Sequence, residues 1–171
     1  MKKIISASIA FLLPSRVASI LLNLLGHQIH PTAKIGFSIL LCEHIRMAKQ
    51  AQIGSLNFIN IQHLSMNEKA FIVSKNRMNG PMNIILDQEA AIARSNSIYR
   101  AKAPISQGMA QLKLGKLTQI VSQNQLDLTK SITMGDYVTI GGHGGQFWTH
   151  GFVHAPSSPC LLYTSPSPRD S

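Results

Sequence analysis

The chain has 171 residues, with 16 Lys and Arg against 7 Asp and Glu, a net charge of +9 and only 13% charged positions. That length is enough for one domain with a real core. The positive charge is scattered from Lys2 to Lys116 with no block of five or six, and only ten residues are aromatic, so nucleic-acid binding is not expected. Cys42 and Cys160 form no metal-ligand spacing or disulfide framework, which leaves a reducing, cytoplasmic compartment as the default.

At the N-terminus, Met1-Lys-Lys precedes an apolar run from Ile4 to Leu13, and Pro14-Ser15-Arg16 separates it from a second run, Val17 to Leu25. The first run resembles a signal peptide, but no small-residue cleavage site follows it. Val17, Ile20, Leu21 and Leu24 recur at i, i+3, i+4 and i+7, one face of a helix. Neither run reaches the roughly 20 residues that span a bilayer. Residues 1–26 are therefore expected to form two short helices that cap the domain and touch a membrane surface peripherally. Export is the alternative.

From residue 27 a different rhythm starts. Ala-x-Ile recurs at Ala33-Lys-Ile35, Ala51-Gln-Ile53 and Ala90-Ala-Ile92, with Ala70-Phe-Ile72 between them, so the isoleucines lie 18, 19 and 20 residues apart. Apolar residues fill six-residue steps between them: Ile29, Ile35, Leu41, Met47, Ile53, Ile59, then Ile72, Met78, Ile84, and later Ile120, Leu126, Ile132, Val138. Six is neither the period of a helix nor that of a flat strand. It suits a triangular coil whose sides each send an aliphatic inward, with a small residue two positions earlier at the corner. Drift in the step predicts protruding loops near Leu64–Phe71 and Lys102–Leu112. The expected fold is all-β, a left-handed parallel β-helix over 27–159 behind a short helical segment.

Ser131 to Gly151 carries the chemistry. Met134-Gly135 and Ile140-Gly141 keep the rhythm, then a glycine-rich loop brings His143, Gly144, Gly145, Gln146, Trp148, Thr149 and His150. Acyl transfer needs a base and donors for an oxyanion, and histidine titrates near neutral pH. Gly144 and Gly145 offer backbone N–H groups to an oxyanion, or simply flexibility. His143 offers a second histidine, to bind an acceptor or orient the first. Asp127, about one coil earlier, is a candidate to orient a histidine, or a polar turn residue. His143, His150 and His154 within one loop do not resemble a zinc site, whose ligands come from separate coils. Cys42, in an apolar run, reads as a core thiol.

From the Ala-x-Ile steps and Met134-Gly135-Asp136 with Ile140-Gly141, the chain resembles the hexapeptide-repeat acyltransferases over Ile29 to about Gly151. The lead-in Leu12-Leu13-Pro14-Ser15-Arg16, and the loop ending in Thr149-His150, are similar to members acting on surface polysaccharides. The resemblance implies a homotrimer that moves an acetyl group from acetyl-CoA to a carbohydrate hydroxyl, with His150 as base. A non-catalytic glycan-binding or trimerisation module is the alternative, and a carbonic anhydrase-like metalloenzyme is a third reading. Asn57, Asn76 and Asn96 stand where the repeat favours a small corner residue, so the repeat reads as degenerate, and Gly145 replaces an expected small hydroxyl residue. Finally, Cys160 to Asp170 resembles a translated sequencing adapter, so 160–171 is expected to be non-native and the domain truncated near Pro159.

Overall fold

A computed structural model describes residues 2–101 and 108–149, together with the two strands Phe152–Ala155 and Ser158–Leu161. Eighteen short strands wind into six coils of a left-handed parallel β-helix, stacking into three six-stranded sheets. The first side stacks Gln28–Ile29, His44–Met47, His63–Met66, Met82–Leu86, Ala110–Leu114 and Ile132–Met134. The second runs from Lys34–Ile35 to Thr139–Ile140, and the third from Ile39–Leu40 to Gln146–Trp148. Each strand is too short to stand alone, and the coils above and below supply its hydrogen bonds.

The isoleucine column is the axis of the register. Ile35 lies under Ile53, Ile72, Ile92, Ile120 and Ile140, so successive coils take 18, 19, 20, 28 and 20 residues. Parallel columns line the other sides: Ile29, Met47, Met66, Leu86, Leu114 and Met134 on the first, and Leu40, Ile59, Met78, Ile98, Leu126 and Phe147 on the third. In the second to fifth coils these side chains are fully buried, each worth about 1.5–3 kcal/mol of burial. In the sixth coil Met134 and Ile140 are only half covered.

The six-residue step slips at several corners, most of them where the third side meets the first. Ile35 to Leu40 is one residue short, so Leu40 and Cys42 point inward and Leu41 is half-buried. After Leu126 the third corner takes eight residues, so Met134 and Ile140 hold the inward positions and Val138 is exposed. No loop protrudes at Leu64–Phe71, where an ordinary corner joins His63–Met66 to Phe71–Ile72. The 28-residue coil does carry an insertion between Tyr99 and Ala110, as the drift near Lys102 predicts, although residues 102–107 lie outside the described set.

The asparagines at the second corner are not a decay of the repeat. Asn57, Asn76, Asn96 and Asn124 are buried and stack as a ladder. Each Oδ1 accepts the backbone N–H of the next rung: Asn57 from Asn76 (3.0 Å), Asn76 from Asn96 (2.9 Å), Asn96 from Asn124 (2.9 Å), Asn124 from Gly145 (3.1 Å). Ser38 starts the ladder, its hydroxyl accepting the Asn57 N–H at 3.1 Å. Asparagine suits the post because it is short and offers both an acceptor and a donor.

Helices α1 (Lys2–Leu12) and α2 (Ser15–Leu24) cover the end of the first coil: α1 packs on its third side, α2 on the other two. The Ser15 hydroxyl accepts the Ile35 N–H at 2.9 Å, and the Asn23 amide pairs with the Ile29 backbone in both directions. His27 is buried between helix and coil, hydrogen-bonded to the Ser6 hydroxyl (3.0 Å) and accepting the Ile45 N–H at Nδ1 (3.1 Å). Burial, then the nearby Lys2 and His44, lower its pKa to about 4. The unfolded chain binds this proton near pH 6.5 and the folded chain does not. Stability is therefore expected to be full above about pH 6.5 and to fall as pH drops toward 4, and His27→Gln should flatten that slope in urea melts across this window.

Candidate functional site

The loop that breaks the rhythm closes the sixth coil. Strand Gln146–Trp148 pairs with Gln125–Asp127, placing Gln146 over Gln125, Phe147 over Leu126 and Trp148 over Asp127. The candidate residues then separate to the two edges of the third side.

At the second corner sits His143, exposed, its Nδ1 3.2 Å from the Ser122 carbonyl. A carbonyl only accepts, so Nδ1 carries the proton and Nε2 is the basic nitrogen. Gly144 takes the corner position with positive φ (75°), the post held by Leu56 (62°), Lys75 (59°), Ser95 (61°) and Gln123 (64°) in the coils below. Glycine pays no Cβ penalty there. Its N–H goes to the Gln123 carbonyl (3.0 Å), while the Gly145 N–H goes to Asn124 Oδ1. Both amides are thus spent on the coil below, and in this arrangement neither is free to hold an oxyanion. Gly145 is the last rung of the ladder, where a Cβ would meet Asn124 Oδ1 at 2.6 Å. A small hydroxyl residue there would have to displace the Asn124 side chain. Gly145→Ala is expected to cost about 1–3 kcal/mol by overpacking, read as a fall in urea midpoint.

At the third corner the arrangement is tighter. Asp127 is 5% exposed, and its Oδ1 accepts both the N–H and the hydroxyl of Thr129, each at 2.7 Å. Tyr99 lies under Asp127 in register, and the rings of Tyr99 and Trp148 meet edge to face across it, 6.3 Å apart at 77°. Burial, and secondarily the Asp127 charge, push the Tyr99 phenol above its ordinary pKa. Thr149 donates its hydroxyl to the Asp127 carbonyl (3.0 Å) and accepts the Lys130 N–H (2.9 Å). Trp148 is half exposed, with its indole N–H on Gln146 Oε1 at 3.3 Å, and Phe147, in register over Leu126, is exposed at the open end of the prism. Beside them Arg100 is buried, its guanidinium donating to the carbonyls of Pro81 (2.6 Å) and Gly108 (2.9 Å), which ties the base of the insertion to the prism.

The structure therefore gathers Asp127, Trp148 and Thr149 and sends His143 to the other edge, so Asp127 does not orient His143. His150, the proposed base, lies outside the described residues, as does the His154 side chain. Tyr99, Arg100, Thr129 and Lys130 join the corner without any local sequence signal. Only aligning across the 28-residue coil would have set Tyr99 beneath Asp127. Cys42 is buried and its thiol is pushed up to about 12 by that burial, so it serves as core and not as a nucleophile. Among the described residues no three His, Cys, Asp or Glu side chains gather as a metal site. Comparison with protein-family models, curated proteins and solved structures returned no match to this chain.

Proposed function

We propose that this chain is the β-helical part of an acyl-CoA-dependent O-acetyltransferase, moving an acetyl group from acetyl-CoA to a sugar hydroxyl and working as a homotrimer. What supports the reading is one juxtaposition. The Thr149 hydroxyl, next in sequence to His150, is held between the Asp127 carbonyl and the Lys130 N–H, at the corner where the rings of Tyr99 and Trp148 meet. His150 takes the proton of the acceptor hydroxyl, whose oxygen attacks the thioester carbonyl carbon. The C–S bond then breaks, and the histidine returns the proton to the departing thiolate. No protein nucleophile is required, in keeping with the inert Cys42. The excess of positive charge suits a co-substrate that carries phosphates.

One observation favours a second reading. The Tyr99–Trp148 pair leaves an aromatic surface half exposed, which also suits stacking on a sugar ring without any chemistry. Calorimetric titration of the full-length protein with acetyl-CoA separates the two. The acyltransferase is expected to bind in the roughly 1 μM–1 mM range usual for enzyme substrates and to label an acceptor glycan from radioactive acetyl-CoA. No heat and no label would leave the glycan-binding module.

A further inference from the structure

The two N-terminal helices are packed inside out. Against the coil they bury small residues, Ser6, Ala7 and Ala10 in α1 and Ala18 and Ser19 with Leu22 in α2. Their large apolar side chains face outward: Ile4, Ile5, Phe11 and Leu12 on α1, and Val17, Ile20 and Leu24 on α2, with Ile20 64% and Leu24 79% exposed. On α2 the set follows helical spacing as one apolar stripe, and on α1 the exposed Ser8 separates Ile4 and Ile5 from Phe11 and Leu12 on the same face. The face that periodicity marks in α2 is, except for the half-buried Leu21, the one left bare. A helix that merely plugged the prism would turn that face inward.

We propose that this face docks on an anionic lipid bilayer, lying in its surface. Charge selects this occupant. The first 42 residues contain Lys2, Lys3, Arg16 and Lys34 and no acidic residue. Arg16 stands on the exposed face of α2 next to Val17. With Lys34 and Lys69 it rims a cleft of about 810 Å³ that Ser15, Thr32 and Gln50 also line, a recess with three cationic side chains at the start of α2. Lys3 and Lys69 are paired with Glu43 (3.2 Å) and Glu89 (3.5 Å), which leaves Lys2, Arg16 and Lys34 as the cations that meet lipid phosphates. Two copies packed stripe to stripe would instead bring these like charges together. The geometry also fixes the depth. Helices of 11 and 10 residues extend about 16 Å at 1.5 Å per residue, about half of a hydrocarbon core of about 30 Å, so they lie in the interface and do not cross it. The docking holds the first coil toward the bilayer and the His143–Thr149 loop, five coils along the prism, away from it.

Sedimentation with phosphatidylcholine vesicles, with and without phosphatidylglycerol, tests this. The protein is expected to sediment with the anionic vesicles and to be released by salt. Ile20→Glu and Leu24→Glu change exposed side chains, so the melting temperature should hold while vesicle affinity falls by about tenfold for each. Arg16→Gln with Lys34→Gln should abolish the preference for anionic lipid. Protein that stays in the supernatant with both vesicles overturns the proposal. So does equal binding by the glutamate variants, or a dimer in light scattering that Ile20→Glu dissolves in the absence of lipid.

Discussion

Replacing Asn76 with alanine is expected to destabilise the protein by about 3 kcal/mol, although the side chain touches no candidate site residue. Asn76 is 1% exposed, and its Oδ1 is the acceptor for the Asn96 N–H. Alanine leaves that N–H orphaned in a dry interior, at about 1–3 kcal/mol, and takes a donor from Asn57 Oδ1 as well. The rungs also polarise one another, so the loss spreads to both neighbours. Asn76→Ser should recover part of it, because Ser38 already does the same work with a hydroxyl at the first rung. Arg77→Ala, one residue away and on the outer surface, should stay within about 0.5 kcal/mol. Urea unfolding reads all three as midpoint shifts at constant slope. A loss from Asn76→Ala no larger than that from Arg77→Ala would remove the ladder from the account of stability.

The ladder also marks where sequence reading stops. The Ile35, Ile53, Ile72 and Ile92 column was legible because one residue per coil repeats the same demand, and the spacings of 18, 19 and 20 are the coil lengths themselves. Phase within a coil was not legible. Side chains alternate with period two, so a corner of five residues in place of six exchanges inside and outside, while one of eight carries the inward position two residues further along, and nothing local announces either. That is why Leu40 and not Leu41 faces inward, and Ile140 and not Val138. Asn57, Asn76 and Asn96 read as faults because each one's partner lies 19 to 28 residues away. The candidate site was half legible for the same reason. Trp148 and Thr149 lie in the motif and Asp127 one coil below it, but Tyr99 reaches them only across a coil lengthened by the insertion.

The corner positions explain the loop's glycines without reference to catalysis. Gly144 fills the positive-φ post and Gly145 the final rung, so the scaffold requires both whatever the loop does. In the proposed scheme the chemistry then falls to residues the scaffold does not need, the histidines and the aromatic pair on either side of Asp127.

His150→Ala is therefore expected to lower acetyl transfer by about 10²–10⁴-fold, the usual loss for a positioned general base. The melting temperature should be unchanged, since no coil depends on that side chain in the scheme proposed. The acid limb of the pH–rate profile, which reports protonation of the base, should vanish with it. Thr149→Val should do less, since it only loosens the approach by cutting the bonds to Asp127 and Lys130. The decisive companion is His143→Ala. His143 has its basic Nε2 available but stands at the opposite edge of the third side, away from Thr149. Turnover close to wild type in His143→Ala, with the loss confined to His150→Ala, assigns the proton transfer to His150. The reverse pattern moves the base to His143 and makes the glycine-rich second corner the active edge. Unaltered turnover in both variants ends the histidine mechanism altogether.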